Sequence, residues 1–427
     1  MLALLFALQA VSGAADSLPR VTLAEALQRA ARLDPDYVRA LGQVDNAAWA
    51  RRNAFALFIL PSITLQADAT HTNPPGFNFV TFTPEANAVT AQVTARYDLF
   101  TGGQKLAELS RSGAILEGSH AAELSQRFAT ALLTEANYYD VLSSQELARV
   151  GRERVRRAAT QLGVARARVV SGAAVQTDSL QLLLELTRAR VVQLARDGAL
   201  TVARLQLGRR IGADGPVDAV PIDAAPMPEL PVTLADAIAQ AADQGPQYRV
   251  ARANERAARA VYRGRLGEYF PWATLTANAL GFDNRFFPTF YKRTSYSLTV
   301  SFPLWDNGRR ELAVSQARVN RDVFRAIRQD MDRAVRPDVT AAYDRYVTSR
   351  ATTDLARTGL AVASENYRVQ QARYGSGATD ILDLLKAQDD LNNAEIDLVT
   401  ARYATRLALA GLEMILGRRL FTDKDTP

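Results

Sequence analysis

Polar and apolar residues alternate over Ser62-Ile-Thr-Leu-Gln-Ala-Asp-Ala-Thr70, the period of a strand whose two faces meet different media. A second alternating run extends from Val89 to Leu99, and the pattern returns at Trp272 to Phe282 and Tyr296 to Leu304. The spacing predicts four strands, at about 62–72, 89–99, 272–282 and 295–304. The first pair is separated by a loop containing Pro74, Pro75, Gly76 and Pro84, the second by a loop from Asp283 to Arg293. Beyond Gly103 and Gly308, which mark strand-to-helix junctions, the pattern becomes helical. No proline occurs between Pro84 and Pro216. From Gly103 to Gly172 this predicts roughly 65–70 helical residues, about 100 Å at the helical rise. The second half predicts a similar helix up to Gly377, with a kink at Pro337. Returning from Gly377, Leu384, Ala387, Leu391, Ala394, Leu398, Ala401, Thr405, Ala408, Leu412 and Ile415 step by three and four, the seam of supercoiled helices. Leu180, Leu184, Thr187, Val191, Leu194 and Leu205 keep a looser version in the first half. Ordinary bundle packing would give the same stripe; only the length favours a tube.

The chain is written twice. Thr22-Leu-Ala-Glu-Ala-Leu27 returns as Thr233-Leu-Ala-Asp-Ala-Ile238, and Pro35-Asp-Tyr37 as Pro246-Gln-Tyr248. Leu60-Pro-Ser-Ile-Thr-Leu65 returns as Phe270-Pro-Trp-Ala-Thr-Leu275, and Leu99-Phe-Thr-Gly-Gly103 as Leu304-Trp-Asp-Asn-Gly308. Leu207-Gly-Arg-Arg210 pairs with Leu416-Gly-Arg-Arg419. Such order at nearly constant offset marks a duplicated domain. Repeat 1 covers 16–214 and repeat 2 covers 233–420. A proline-rich extended linker, 215–232, lies between them, and 421–427 form a C-terminal tail. Each repeat opens with two shorter helices, at about 22–32 and 36–58 in the first. Residues 1–15 read as the apolar and cleavage regions of a secretory signal peptide without a basic leader, or as a buried N-terminal helix.

Past that segment no apolar run reaches the 18–20 residues of a membrane-spanning helix, so a bilayer could be crossed only as a barrel. Four strands close no barrel, whereas three chains would supply twelve. Phe77, Phe79, Phe82, Phe286, Phe287, Phe290 and Tyr291 in the loops suit either a membrane-interface belt or local loop packing.

Composition narrows the chemistry. The 427 residues contain no cysteine, which removes disulfides, thiolate metal sites and Cys nucleophiles. The net charge of +6 is carried by arginines interleaved with acids along helices, so no nucleic-acid partner is expected. The densest patch sets seven arginines against Glu153 between Arg149 and Arg168. His71 and His120 have no ligand spacing around them, and Gly375-Ser-Gly377 lacks the lysine of a phosphate loop. No enzyme, metal or cofactor is expected.

The Thr-Leu-x-x-Ala-Leu opening (22–27), Tyr97-Asp-Leu-Phe-Thr-Gly-Gly103 with Phe302-Pro-Leu-Trp-Asp-Asn-Gly308, and Arg373-Tyr-Gly-Ser-Gly-Ala-Thr-Asp-Ile-Leu-Asp383 before Ala387-Gln388 resemble the TolC-like outer-membrane efflux family over nearly the whole mature chain. The matching first-half turn is Arg168-Val-Val-Ser-Gly172, six residues before Asp178, as Gly377 stands six before Asp383. The resemblance implies a mixed α/β membrane protein: a trimeric twelve-stranded β-barrel in the Gram-negative outer membrane, four strands per protomer, continued by a long antiparallel α-helical coiled-coil barrel in the periplasm. It implies an exit duct of a tripartite efflux pump or type I secretion system, embedded in outer-membrane lipid. The tips at Gly172 and Gly377 would meet a periplasmic adaptor that links the duct to an inner-membrane pump. Asp178 and Tyr374 would help close the entrance. Asp383 either rings its narrowest point or, like Asp178, caps a helix. Two positions depart from the family: Thr379 where an arginine lock is usual, and Lys386 where a second acid is usual. These leave the entrance's closure and charge open. The alternative is a periplasmic coiled-coil adaptor or structural protein, which would need neither duplication nor paired strands.

Overall fold

The computed structural model describes residues 18–78, 82–222, 225–283 and 291–421. The signal segment 1–15, Phe79, Phe286, Phe287, Phe290 and residues 422–427 of the tail lie outside the described residues. In chain order the elements are β1 (Arg20–Val21), α1 (Leu23–Leu33), α2 (Pro35–Ile59), β2 (Ser62–Asn78), β3 (Thr83–Thr101), α3 (Gln104–Val170), α4 (Gln176–Ile211), β4 (Asp218–Ala219), α5 (Leu234–Gln244), α6 (Pro246–Leu266), β5 (Trp272–Asp283), β6 (Tyr291–Ser301), α7 (Arg309–Ser376) and α8 (Ile381–Leu416). They divide into two compact units that do not coincide with the repeats, since each unit draws on both.

The sheet unit comprises Ala40–Glu123 and Pro246–Ala334. Its antiparallel strands lie in the order β2-β3-β5-β6, which leaves β2 and β6 as edges. Register carries the alternation across all four. One row reads Ile63, Ala95, Ala277, Tyr296 and the next on that face Leu65, Val93, Ala279, Thr294. The opposite face reads Thr64, Thr94, Asn278, Ser295 and then Ser62, Arg96, Thr276, Ser297. Asn278 ties the polar face together, accepting from Thr94 Oγ1 at 2.8 Å and Gln92 Nε2 at 3.3 Å.

The strands differ in extent from the sequence reading. The first pair runs on past Pro74, Pro75, Gly76 and Pro84, because pairing resumes beyond a bulge with Gly76 opposite Glu85. Prolines are tolerated at bulges and on edge strands, which β2 is. β6 begins earlier and ends at Ser301, so Phe302 to Leu304 are not strand.

The helical unit comprises residues up to Arg39, Leu124–Gly245 and Val335 onward. Thr22 and Thr233 cap α1 and α5, accepting from the N–H of Glu25 at 3.3 Å and of Asp236 at 3.2 Å, which explains their recurrence. The linker is more than an extended strap: β4 pairs in parallel with β1, and the buried Tyr138 hydroxyl donates to the carbonyls of Val21 (3.1 Å) and Val220 (2.8 Å). α7 continues unbroken through Pro337.

Two sequence pairings are revised. α4 and α8 are both 36 residues long and end on left-handed glycines, Gly212 and Gly417. Gly208 lies inside α4, its Cβ position only 2.2 Å from the Gly215 carbonyl oxygen. The equivalent of Leu416-Gly417 is therefore Ile211-Gly212, not Leu207-Gly208. The α8 seam is buried at Leu384, Ala387, Leu391, Ala401, Thr405, Ala408 and Leu412. α4 instead buries Leu182, Leu186, Ala189, Leu200, Ala203 and Leu207, and the stripe Leu180, Leu184, Val191, Leu194 and Leu205 is exposed on the single chain.

The junctions isolate one steric requirement. Gly102 and Gly103 have φ of 59° and 84°; Asn307 and Gly308, their counterparts, have 58° and 76°. Asparagine adopts this left-handed conformation acceptably, so backbone preference does not force glycine at 102. Space does: a Cβ there would sit 2.0 Å from the Gly267 carbonyl oxygen. Gly102→Asn, which merely copies the other repeat, should destabilise the protein by about 1–3 kcal/mol through overpacking. Asn307→Gly should cost less than about 1 kcal/mol. Thermal unfolding of both variants checks this, and equal effects would refute it.

Candidate functional site at the hairpin tips

α3 and α7 end in the same turn. Ala173 N–H bonds to Arg168 O at 2.8 Å and Gly172 N–H to Val169 O at 3.1 Å. Ala378 N–H to Arg373 O and Gly377 N–H to Tyr374 O repeat those distances. Gly172 and Gly377 stand at φ of 74° and 79°, the left-handed step that reverses the chain cheaply only for glycine.

The returning helices start differently. Asp380 caps α8, its carboxylate accepting the Asp383 N–H at 3.0 Å, and Thr379 Oγ1 donates to Asp383 Oδ2 at 2.6 Å. α4 starts behind Val175, which offers no side-chain cap. Neither Asp178 nor Asp383 is therefore the cap that the sequence offered as one reading. Both occupy the third helical position, where a carboxylate still faces the positive end of the helix. Asp383 and Lys386 are exposed, and Asp178 is half-buried.

Asp178 lies beside Tyr374, a fully buried ring. Burial, and then the Asp178 charge, push the Tyr374 phenol pKa up, with Arg168 opposing. The hydroxyl has no hydrogen bond of full geometry, so the Asp178 contact is a weak one. The tip residue missed in the sequence is Arg168. Its guanidinium lies 4.7 Å from the Tyr374 ring centroid, donates to the Tyr374 carbonyl, and donates to Ala173 O at 3.2 Å. The available signal was the repeated arginine four residues before each tip glycine.

Behind the tips, Leu182, Leu186, Tyr367, Tyr374, Ile381 and Leu384 share one apolar cluster. A polar layer interrupts it. Gln161, Gln388 and Asn392 are buried; Arg157 donates to Asn392 Oδ1 at 2.7 Å and pairs with Glu395 at 2.7 Å. Both amide atoms of Gln388 lack partners.

A sheet with one apolar and one polar face, open at both edges and joined to paired helix hairpins, defines a membrane channel protomer completed by copies of itself. The chain belongs to the outer membrane efflux protein family, whose pattern matches residues 26–213 and 237–418. Protein CyaE of Bordetella pertussis is 26% identical over 349 residues, which cover 78% of this chain and 72% of that protein. The solved outer membrane protein VceC of Vibrio cholerae superposes with a TM-score of 0.77 at 15% identity, covering 93% of this chain and 97% of VceC. The CmeC outer membrane channel of Campylobacter jejuni gives 0.79 at 14% identity, covering 94% and 87%. The fold is the trimeric twelve-stranded barrel with a long α-helical barrel, and the protein is an outer-membrane efflux channel extending into the periplasm.

Asp380→Ala should destabilise the start of α8 by about 1 kcal/mol, the usual worth of an N-cap. Asp178→Ala removes no cap and should leave α4 amide exchange unchanged. Faster exchange confined to the first turn of α8 in the Asp380 variant is the expected readout; none would discount the cap.

Proposed function

We propose that the protein is a passive conduit with no catalytic step of its own, and that the hairpin tips of three protomers form its periplasmic entrance. The observation that carries this reading is the two-faced register that runs across all four strands: an apolar face suited to outer-membrane lipid and a polar face suited to a watery lumen. The exposed stripe on α4, from Leu180 to Leu205, is the surface on which a neighbouring protomer packs. Repeat 1 (16–214), the linker (215–232) and repeat 2 (233–420) act as a duplicated scaffold. Gly103 and Gly308 join strand to helix in each copy, and residues 1–15 serve as an export signal.

At the entrance, Asp178 and Tyr374 hold the two hairpins of one protomer together. Thr379 supports Asp383 instead of locking to the other hairpin, since its hydroxyl is engaged there. The turns at Gly172 and Gly377 meet a periplasmic adaptor, which couples the duct to an inner-membrane pump. No nucleic acid is a partner.

Asp383 and Lys386, both exposed on the first turns of α8, set opposite charges near one constriction. The field of three carboxylates is thereby offset, and the Arg149–Arg168 patch adds positive charge. In planar bilayers the purified protein should give discrete conductance steps whose reversal potential in a salt gradient shows little preference for cations. Lys386→Glu should shift that potential toward cation selectivity. Absence of any steps would contradict the conduit; strong cation selectivity in the natural protein would contradict the charge assignment.

A further inference from the structure

We infer that Arg168 is the clasp that holds the second hairpin against the first in each protomer and so keeps the entrance closed. The inference rests on reading the tips as the entrance. Duplication supplies an internal control. Arg168 and Arg373 occupy the same place, four residues before the tip glycine, and make the same local bond, to Ala173 O at 3.2 Å and to Ala378 O at 3.4 Å. That bond serves the turn itself. Only Arg168 reaches across: it donates to the Tyr374 carbonyl, stacks on the Tyr374 ring at 4.7 Å, and comes within 3.3 Å of where a Cβ on Gly377 would lie. A planar guanidinium suits both contacts at once; an ammonium does not.

Buried polar side chains lie on the second hairpin behind this contact. Gln388 is fully buried with neither amide atom paired. The Asn392 amide nitrogen, also on α8, and Gln370 Oε1, on α7, are likewise buried with no partner within the chain. The second hairpin is thus held by a charge-assisted contact that the first hairpin supplies. This fixes the direction: loss of the clasp opens the entrance.

The test compares single-channel traces of the natural protein, Arg168→Ala, Arg168→Lys and Arg373→Ala. Arg168→Ala should raise the time spent in high-conductance states roughly tenfold, the shift expected when a charged hydrogen bond and a cation–π contact are lost. Arg168→Lys should fall between, and Arg373→Ala should match the natural protein. Equal traces for Arg168→Ala and the natural protein, or an equal effect of Arg373→Ala, would overturn the clasp. Amide exchange of the assembled protein separates this from the conduit reading: Arg168→Ala should speed exchange over residues 374–388 whether or not the protein conducts. Exchange that accelerates without conductance refutes the entrance but keeps the clasp; unchanged exchange refutes the clasp.

Discussion

Everything else in this molecule follows from backbone groups that one chain leaves unpaired. β2 and β6 are the edges of a four-stranded sheet, and each presents a row of N–H and C=O groups outward. In water such an edge is a liability; in hydrocarbon each group costs several kcal/mol. The same strands carry Ile63, Leu65, Tyr296, Leu298 and Val300 on one face, all exposed on the single chain. Lipid can cover those side chains but cannot satisfy the edges. Only another strand can, and identical chains supply it. Pairing β6 of one copy with β2 of the next turns a sheet too small to close into a continuous wall.

Duplication builds this protein economically, and the copies then diverge where function needs asymmetry. The capping threonines, the left-handed pairs at the junctions and the tip turns are superimposable in their bonds and angles. Side chains around them are not. Gly102 must be glycine because Gly267 approaches it, whereas Asn307 is exposed. α8 begins on an Asp380 cap and α4 on none. α8 ties to α3 through Arg157–Glu395 and Arg402–Glu146 and α4 through Arg152–Asp197 and Arg154–Glu185, but α4 also leaves an apolar stripe exposed. A scaffold of equal halves thus presents charged seams to itself and one apolar surface outward.

The sequence was most informative where periodicity or a positive φ dictates residue type. Strand alternation, the long proline-free helices and the turn glycines at 103, 172, 308 and 377 are all of this kind. It misled where tertiary context overrides local preference. Prolines 74, 75 and 84 read as loop because the bulge that accommodates them depends on pairing with the opposite strand. Spacing alone also cannot say which helix covers the α4 stripe, which is exposed on the single chain. At the tips, Asp178 and Asp383 stood out by their place after a glycine and Tyr374 through the family resemblance, but Arg168 did not, since its second contact lies on a hairpin two hundred residues away in sequence. Position 380 was passed over for 383 because the helix start shifts the cap by three residues.

Since edge pairing between identical copies is the requirement on which the wall depends, the number of chains in the assembled particle is the most direct measure. Native mass spectrometry of the protein released from detergent micelles should give a single species of three chains. A dominant monomer, or an assembly of any other number, would contradict the account.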